Sequence, residues 1–296
     1  MVTILTPTYN REYTLKDTYN SLLNQTNKSF EWIIVDDGST DNTRMLVKNI
    51  KKENKLDIKY IYKENGGKHT ALNLGIEKAS GKYILILDSD DTLLPDCVDL
   101  VEKKWNNYED NSKIACLSFL KVFPNNEIIG KKYSEEETIS NHIDFRYNRS
   151  LLGDMCEIFK TEVLKKYPFP VFNNERFLSE TLIWNKIALD YNTVYINKPI
   201  YVASYLNDGL SKNYLKLVYN NPIGASENSN MFLIKRFKLK IRIKNAILYD
   251  GYCINAKKKL SEIIKNSNSK PLAIIFLPGG VLFYILLKIK FNKKRV

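Results

Sequence analysis

The chain has 296 residues, 44% of them hydrophobic and 26% charged, the balance of a folded globular protein rather than a disordered or fibrous one. A formal net charge of +12 favours anionic partners: phospholipid headgroups, nucleic acid or phosphorylated substrates. Cys97, Cys116, Cys156 and Cys253 include no C-x-x-C pair, which argues against a zinc site and a disulfide framework and suits a reducing compartment.

The N-terminus, "MVTILTPTYN", enters a strand pattern at once, with no basic segment leading into a long apolar run, so no secretory signal is expected. Val2 to Thr6 reads as a buried strand and Tyr13 to Gln25 as a helix. "EWIIVDD" is a second strand and Asn42 to Lys52 a second helix. Ile58 to Tyr62 is a third strand, Lys68 to Ala79 a third helix, and "YILILD", from Tyr83, a fourth strand. Short apolar strands alternating with helical periods predict βαβ units and a mostly parallel sheet covered on both faces. Ligands of such sheets bind beyond the carboxyl ends of the strands. Three polar clusters stand there: "TPTYN", "DDGSTD" and "DSDD".

Residues 114 to 205 mix short strands with turns and one clear helix, beginning near Ser179 and running through "ETLIWNKIALDY". Beyond Asn207 the pattern is helical and basic. "KRFKLKIRIK", Lys235 to Lys244, alternates cations with apolar residues and fits a strand as well as a helix. Pro271 to Leu287 carries no charge and is followed by "KIKFNKKRV". A spanning helix needs about 20 apolar residues. This stretch is shorter, and Pro278-Gly279-Gly280 is expected to break it. The pattern therefore favours a kinked segment lying in or on a membrane surface, its Lys and Arg facing an anionic cytoplasmic leaflet. A helix packed on the rest of the protein and a homodimer contact are the plainer alternatives.

"DSDD" gathers Asp88, Asp90 and Asp91 after the fourth strand. Two carboxylates in D-x-D spacing can point oxygens at one hard cation, Mg²⁺ or Mn²⁺, which fills its shell with phosphate oxygens and water. The plainer reading is a polar turn in which Asp91 or Thr92 caps a helix with Pro95 in its first turn. The position at a strand end favours the metal reading for Asp88 and Asp90, with Asp91 left as the cap. In "VDDGSTDNT", Gly38 permits a turn and Ser39 or Thr40 can cap a helix. The aspartates can accept from a base N–H or ribose hydroxyls. "ENGGKHTALN" offers a flexible glycine pair and then Lys68 at a helix start, where helix dipole and cation can face a phosphate. His69 reads as a polar packing residue.

The order T-P-T-Y-N, V-D-D-G-S-T-D, G-G-K-H-T-A-L-N, L-D-S-D-D resembles the nucleotide-sugar domain of family 2 glycosyltransferases, over about residues 2 to 205. The resemblance implies a GT-A fold, a nucleoside-diphosphate-sugar donor, a divalent cation and inversion at the anomeric carbon. It implies donor contacts at Thr6, Pro7, Tyr9, Asp36, Asp37, Lys68, Asp88 and Ser89. Thr6 and Asp37 would meet the base, Lys68 the base or phosphates, Asp88 the ribose or metal, and Asp90 the metal. Family members use a carboxylate base, often in a Glu-Asp pair before a helix carrying Trp. Here "LSETLIW" puts Thr181 where Asp is common, so the role falls on Glu180. As an alternative, Ser179 caps the helix and Glu180 complements its dipole. Asp154 and Glu157 are further base candidates or acceptor contacts, with Trp184 beside them.

These expectations divide the chain into a catalytic domain at 1–206, with a nucleotide-sugar half to about 95 and an acceptor half beyond, and a helical basic region at 207–296. They imply a cytoplasmic enzyme, peripheral on the membrane, that moves a sugar, with UDP as the expected nucleotide, to a saccharide or lipid-linked saccharide for a surface polysaccharide such as capsule or O-antigen. A sugar-nucleotide nucleotidyltransferase would want a glycine-rich loop directly after the first strand, and "TPTYNREY" has no glycine. A non-catalytic saccharide-binding relative would not need Asp88, Asp90 and Glu180 together. No nucleic-acid recognition motif is present.

Overall fold

All seven residues of β1, Val2–Thr8, and of β2, Phe30–Asp36, are buried, which requires cover on both faces of the sheet. The computed structural model describes residues 1–151, 153–204 and 213–292. The other strands are β3 Ile58–Tyr62, β4 Tyr83–Ile86, β5 Thr92–Leu93, β6 Ile114–Val122, β7 Glu137–Ser140, β8 Met155–Lys160 and β9 Asn192–Val202. Together they make one nine-stranded mixed sheet in the order β3-β2-β1-β4-β8-β6-β9-β5, with β7 on β9. Strands β1 to β4 are parallel. β8 runs antiparallel to both β4 and β6, and β6 is parallel to β9.

The helices of the first half are α1 Leu15–Leu23, α2 Thr43–Lys52, α3 Lys68–Lys78 and α4 Cys97–Asn106. After them come α5 Thr161–Lys166 and α6 Thr181–Ile187, with a wide π-helical turn at Ile143–Asn148. The first three helices and four strands fall within about two residues of their sequence-based bounds, as strongly periodic segments should. The sheet is more mixed than expected, because the chain returns antiparallel through β8 after β4.

Glu31, the second residue of β2, is buried. Burial would raise its carboxyl, but Lys59, Thr3 and Ser80 hydrogen-bond it and hold it down at about 2. Its oxygens clasp β1, β3 and the turn before β4 at the edge opposite the ligand side. The ionised form is thus satisfied where an unpaired charge would be costly.

The C-terminal part is helical: α7 Tyr214–Asn220, α8 Pro222–Met231, α9 Leu239–Asn255, α10 Leu260–Asn266 and α11 Lys270–Asn292. The expected boundary at 206/207 lies outside the described residues. Lys235 to Lys238 form a turn and the helix begins at Leu239, so the alternating basic stretch makes no strand. The expected break at Pro278 does not occur either, because α11 runs through it. Gly279 lies against Ile247, and a side chain on Gly280 would come within 2.4 Å of the Asp250 Cβ. The two glycines let α11 lie directly on α9, and this packing outweighs the hydrogen bond that proline removes. Lys270–Phe291 is, among the described residues, the one helix long and apolar enough to cross a membrane.

α8 is tied back to the segment before α6. The Glu175 carboxylate accepts the N–H groups of Ile223 and Gly224 at 2.6 and 2.7 Å, and Asn221 accepts those of Arg176 and Phe177. These bonds satisfy orphan donors of the α8 N-terminus and fix the segment that leads to Glu180.

Candidate active site

The cleft lies beyond the carboxyl ends of β1 and β4, where the order 3-2-1-4 reverses direction, as expected for a sheet of this kind. β4 ends at Ile86, and Leu87 donates to the Leu5 carbonyl, so Asp88 emerges at the rim. Lys68, the first residue of α3, reaches across. Its Nζ lies 2.6 Å from Asp88 Oδ1 and 2.9 Å from Glu180 Oε1. Burial opposes the charged ammonium, but the Asp88 and Glu180 carboxylates outweigh it and raise the Lys68 pKa above its ordinary value. For Asp88, burial opposes ionisation while Lys68, Lys121 and Arg11 favour it, and the balance lies below the ordinary value.

Gly67 makes this reach available. Its φ is +96°, and a side chain there would come within 2.0 Å of the Arg176 carbonyl. Only glycine combines that dihedral with that approach. The contact brings the loop before α3 against the segment before α6.

Asp37 holds the same loop. It is 3% exposed, and its carboxylate accepts Lys63 Nζ at 2.6 Å and the N–H groups of Gly66 and Gly67 at 2.9 and 2.7 Å. Asp36 is fully buried and accepts Tyr60 Oη and Ser39 N–H. The Thr6 hydroxyl, equally buried, accepts the Trp32 indole N–H at 2.9 Å. The Thr6 and Asp36 side chains therefore hold the strand ends and do not reach the cleft. Pro7 and Ser89 are buried, the Ser89 carbonyl accepting the Thr14 hydroxyl, whereas Tyr9 stands 46% exposed just past β1.

The acidic cluster differs from expectation at one position. α4 begins at Cys97 with Asp96 before it, so Asp91 does not cap that helix. Instead Asp91 opens β5, its carboxylate accepting Tyr201 Oη and Ser204 N–H, both at 2.7 Å. The edge pairing of β5 with β9 claims the residues a cap would use. Burial and the Asp88 charge push the Asp91 carboxyl up to about 6, and the same causes raise Asp90.

Asp88 and Asp90 remain for a cation. Among the described residues no group of three or more His, Cys, Asp or Glu could hold a metal ion, so these residues form no closed cage. Two carboxylates at a strand end fit a hard ion that takes the rest of its shell from phosphate and water.

Beneath these groups is a cavity of about 290 Å³ that Lys68, Asp88 and Glu180 share with Asp154, Glu157 and Trp184. Glu157 projects from mid-β8. Burial, helped by the Glu180 and Asp154 charges, pushes its carboxyl up to about 7 against the pull of Arg146 and Lys121. Trp184 is 8% exposed and packs on Phe159 and Phe169. Glu180 occupies the N-cap position of α6 without bonding its backbone, which leaves the carboxylate to Lys68. His69 is buried, as the sequence reading expected of a packing residue.

The sequence reading missed Lys121, Arg146 and Tyr201, which also line the cavity, and Arg11, whose charge acts on Asp88 and Asp90. Lys121 lies over the Tyr201 ring at 4.1 Å. Its signal was available: it is the lone charge in the buried, mostly apolar run "IACLSFLKV". Arg146, in the π-helical turn, and Tyr201, late in β9, carried no such mark.

The sheet, the strand-end acids and the shared cleft define a GT-A glycosyltransferase fold. Residues 3–167 match the model of glycosyl transferase family 2, which covers more than half of the chain, and the chain belongs to that family. An uncharacterized glycosyltransferase of Rickettsia bellii is 43% identical over 99 residues, 33% of this chain and 14% of that protein. The GalNAc(5)-diNAcBac-PP-undecaprenol beta-1,3-glucosyltransferase of Campylobacter jejuni is 29% identical over 67% of this chain and 62% of its own length. The chain thus spans less than two thirds of either relative. The structure of S. aureus TarS 1–349 in complex with UDP-GlcNAc superimposes with a TM-score of 0.67 at 18% identity, covering 99% of this chain and 92% of that one. The mannosyltransferase PcManGT from Pyrobaculum calidifontis, in complex with GDP-Man and Mn²⁺, gives 0.57 at 18% identity over 98% and 83%. At these identities the likeness is one of fold.

Proposed function

We propose that this chain transfers a sugar, with inversion, from a nucleoside-diphosphate sugar to a hydroxyl of a lipid-linked saccharide at the cytoplasmic face of a membrane. The observation that carries the reading is the double contact of Lys68, which sets a strand-end carboxylate and a helix-start carboxylate across one cleft, 2.6 and 2.9 Å from the same ammonium. Tyr9 offers an exposed ring for the base, and Asp37 acts by holding the Gly66–Gly67 loop. Asp88 and Asp90 would hold Mg²⁺ or Mn²⁺, which when bound neutralises charge on the departing diphosphate.

The acceptor hydroxyl enters from the Glu157 side and gives its proton to Glu180. Its oxygen bonds to the anomeric carbon as the bond from that carbon to the diphosphate oxygen breaks, and the nucleoside diphosphate leaves. Attack from the side opposite the leaving group inverts the centre. Proton removal by a positioned base is worth roughly 10²–10⁴-fold. Without donor, Lys68 is shared by both carboxylates. An arriving diphosphate competes for that ammonium, so the base is freed only when there is something to transfer. The UDP-sugar of the TarS complex and the undecaprenol-linked substrate in the Campylobacter relative's name support the donor and acceptor classes.

The test is nucleotide release from UDP-, GDP- and dTDP-sugars with Mn²⁺ or Mg²⁺, and with EDTA. Release with one donor class, lost with EDTA and in Asp90→Ala, is the expected result. A well-folded chain that releases nucleotide from no donor under any metal condition refutes the reading.

A further inference from the structure

One face of α11 packs on the protein and the other packs on nothing described. Ala273, Phe276, Gly280, Phe283 and Leu287 turn inward, at steps of three and four residues, the spacing of one helix face. The opposite face carries Ile274, Ile275, Leu282, Ile285, Leu286 and Ile289, between 45 and 65% exposed. Outward helix faces are ordinarily polar, and a contiguous apolar stripe of this kind marks an interaction surface.

We propose that this face of α11 docks the enzyme on an anionic lipid bilayer, the helix lying in the plane of the interface. The charge pattern selects this occupant. Lys270 stands at one end of the stripe and Lys288 and Lys290, both exposed, at the other. No Asp or Glu follows Glu262 in the sequence, so nothing on the stripe or its flanks repels anionic headgroups. A second copy would bring like against like, because each chain carries +12 and α11 has no acidic residue to answer its lysines. α11 as a whole is long and apolar enough to span, but its short uncharged stretch and its company disfavour that. The uncharged stretch of α11 is about 25 Å long at 1.5 Å per residue, against about 30 Å of hydrocarbon. Its inner face lies on α9, whose first turns carry Lys240, Arg242 and Lys244. An interfacial helix with an apolar face and cationic flanks needs neither extra length nor burial of those charges.

The inference rests on the transferase reading for its purpose, since a soluble donor and a lipid-linked acceptor meet at that boundary, and the two are separable by experiment. Full-length protein is mixed with vesicles of phosphatidylcholine alone or with 30% phosphatidylglycerol, and binding is followed by flotation. Binding is expected to the anionic vesicles, to weaken with salt, and to fall about fivefold for each of Lys288→Ala and Lys290→Ala. Ile275→Glu/Leu282→Glu/Leu286→Glu should lose binding more than tenfold while its circular dichroism and its donor hydrolysis in solution stay at the parent level. The proposal is overturned if the parent does not float, if the triple variant floats equally well, or if light scattering shows a dimer that the triple variant dissolves in the absence of vesicle binding. Vesicle binding without donor hydrolysis would refute the transferase reading and leave the docking face standing.

Discussion

Lys68 Nζ stands 2.9 Å from Glu180 Oε1, and that bond joins the start of α3 to the start of α6. Removing the carboxylate charge while keeping its shape isolates the base. Glu180→Gln should lower kcat for sugar transfer by roughly 10²–10⁴-fold with the donor KM little changed. Full transfer by this variant would put the base elsewhere.

Gly67→Ala tests how the contact is positioned. The new methyl group would collide with the Arg176 carbonyl at a φ of +96°. Such strain costs on the order of 1–3 kcal/mol. The variant should melt at lower temperature, and its residual activity should show a raised donor KM because Lys68 is displaced. A crystal structure with Lys68 still on Glu180 and an unchanged Tm would contradict this account.

Glu175 acts at a distance from the chemistry. Truncation by Glu175→Ala leaves the Ile223 and Gly224 N–H groups without their acceptor, a loss of about 1–3 kcal/mol for buried donors. Unfolding in urea should show a lower midpoint at an unchanged slope. Because the segment 175–177 leads into Glu180, kcat should fall as well. Loss of stability with kcat intact would confine Glu175 to a capping role.

Glu157 should make stability depend on pH. Its folded-state carboxyl titrates near about 7, against an ordinary value of 4.5. Between those values the native protein keeps a proton that the unfolded chain has released. Stability from this group is therefore fully present below about pH 4.5, declines as pH rises through the window, and is level above 7. The decline is at most ~3 kcal/mol. Glu157→Gln should gain in Tm relative to the parent on going from pH 5 to pH 8. A Tm difference that is constant over this range would show that Glu157 titrates normally.

Much of the donor side was readable in one dimension. Strand ends follow from apolar runs, and Asp88 and Lys68 sit at such an end and at a helix start, so the fold class alone sends both to one edge. Glu180 was legible only through the resemblance, because nothing local distinguishes it from a residue complementing a helix dipole. Asp91 was misread because a cap and a strand start use the same residue types, and the choice belonged to β9, more than a hundred residues away. Helix α11 was misread at Pro278 because local propensity was overridden by packing against Ile247 and Asp250.

By itself the sequence determined the alternation of strands and helices, the positions of the acidic turns and the charge of the chain, since each depends on neighbours within a few residues. Tertiary structure alone decided which polar groups are spent and which are offered. Thr6 and Asp36 are consumed by Trp32, Tyr60 and Ser39, while Lys121 and Arg146 are delivered to the cleft from a strand and a turn far apart in sequence from Lys68 and Asp88. Hydrogen-bond satisfaction and burial are properties of what surrounds a side chain, and those surroundings exist only once distant segments have packed.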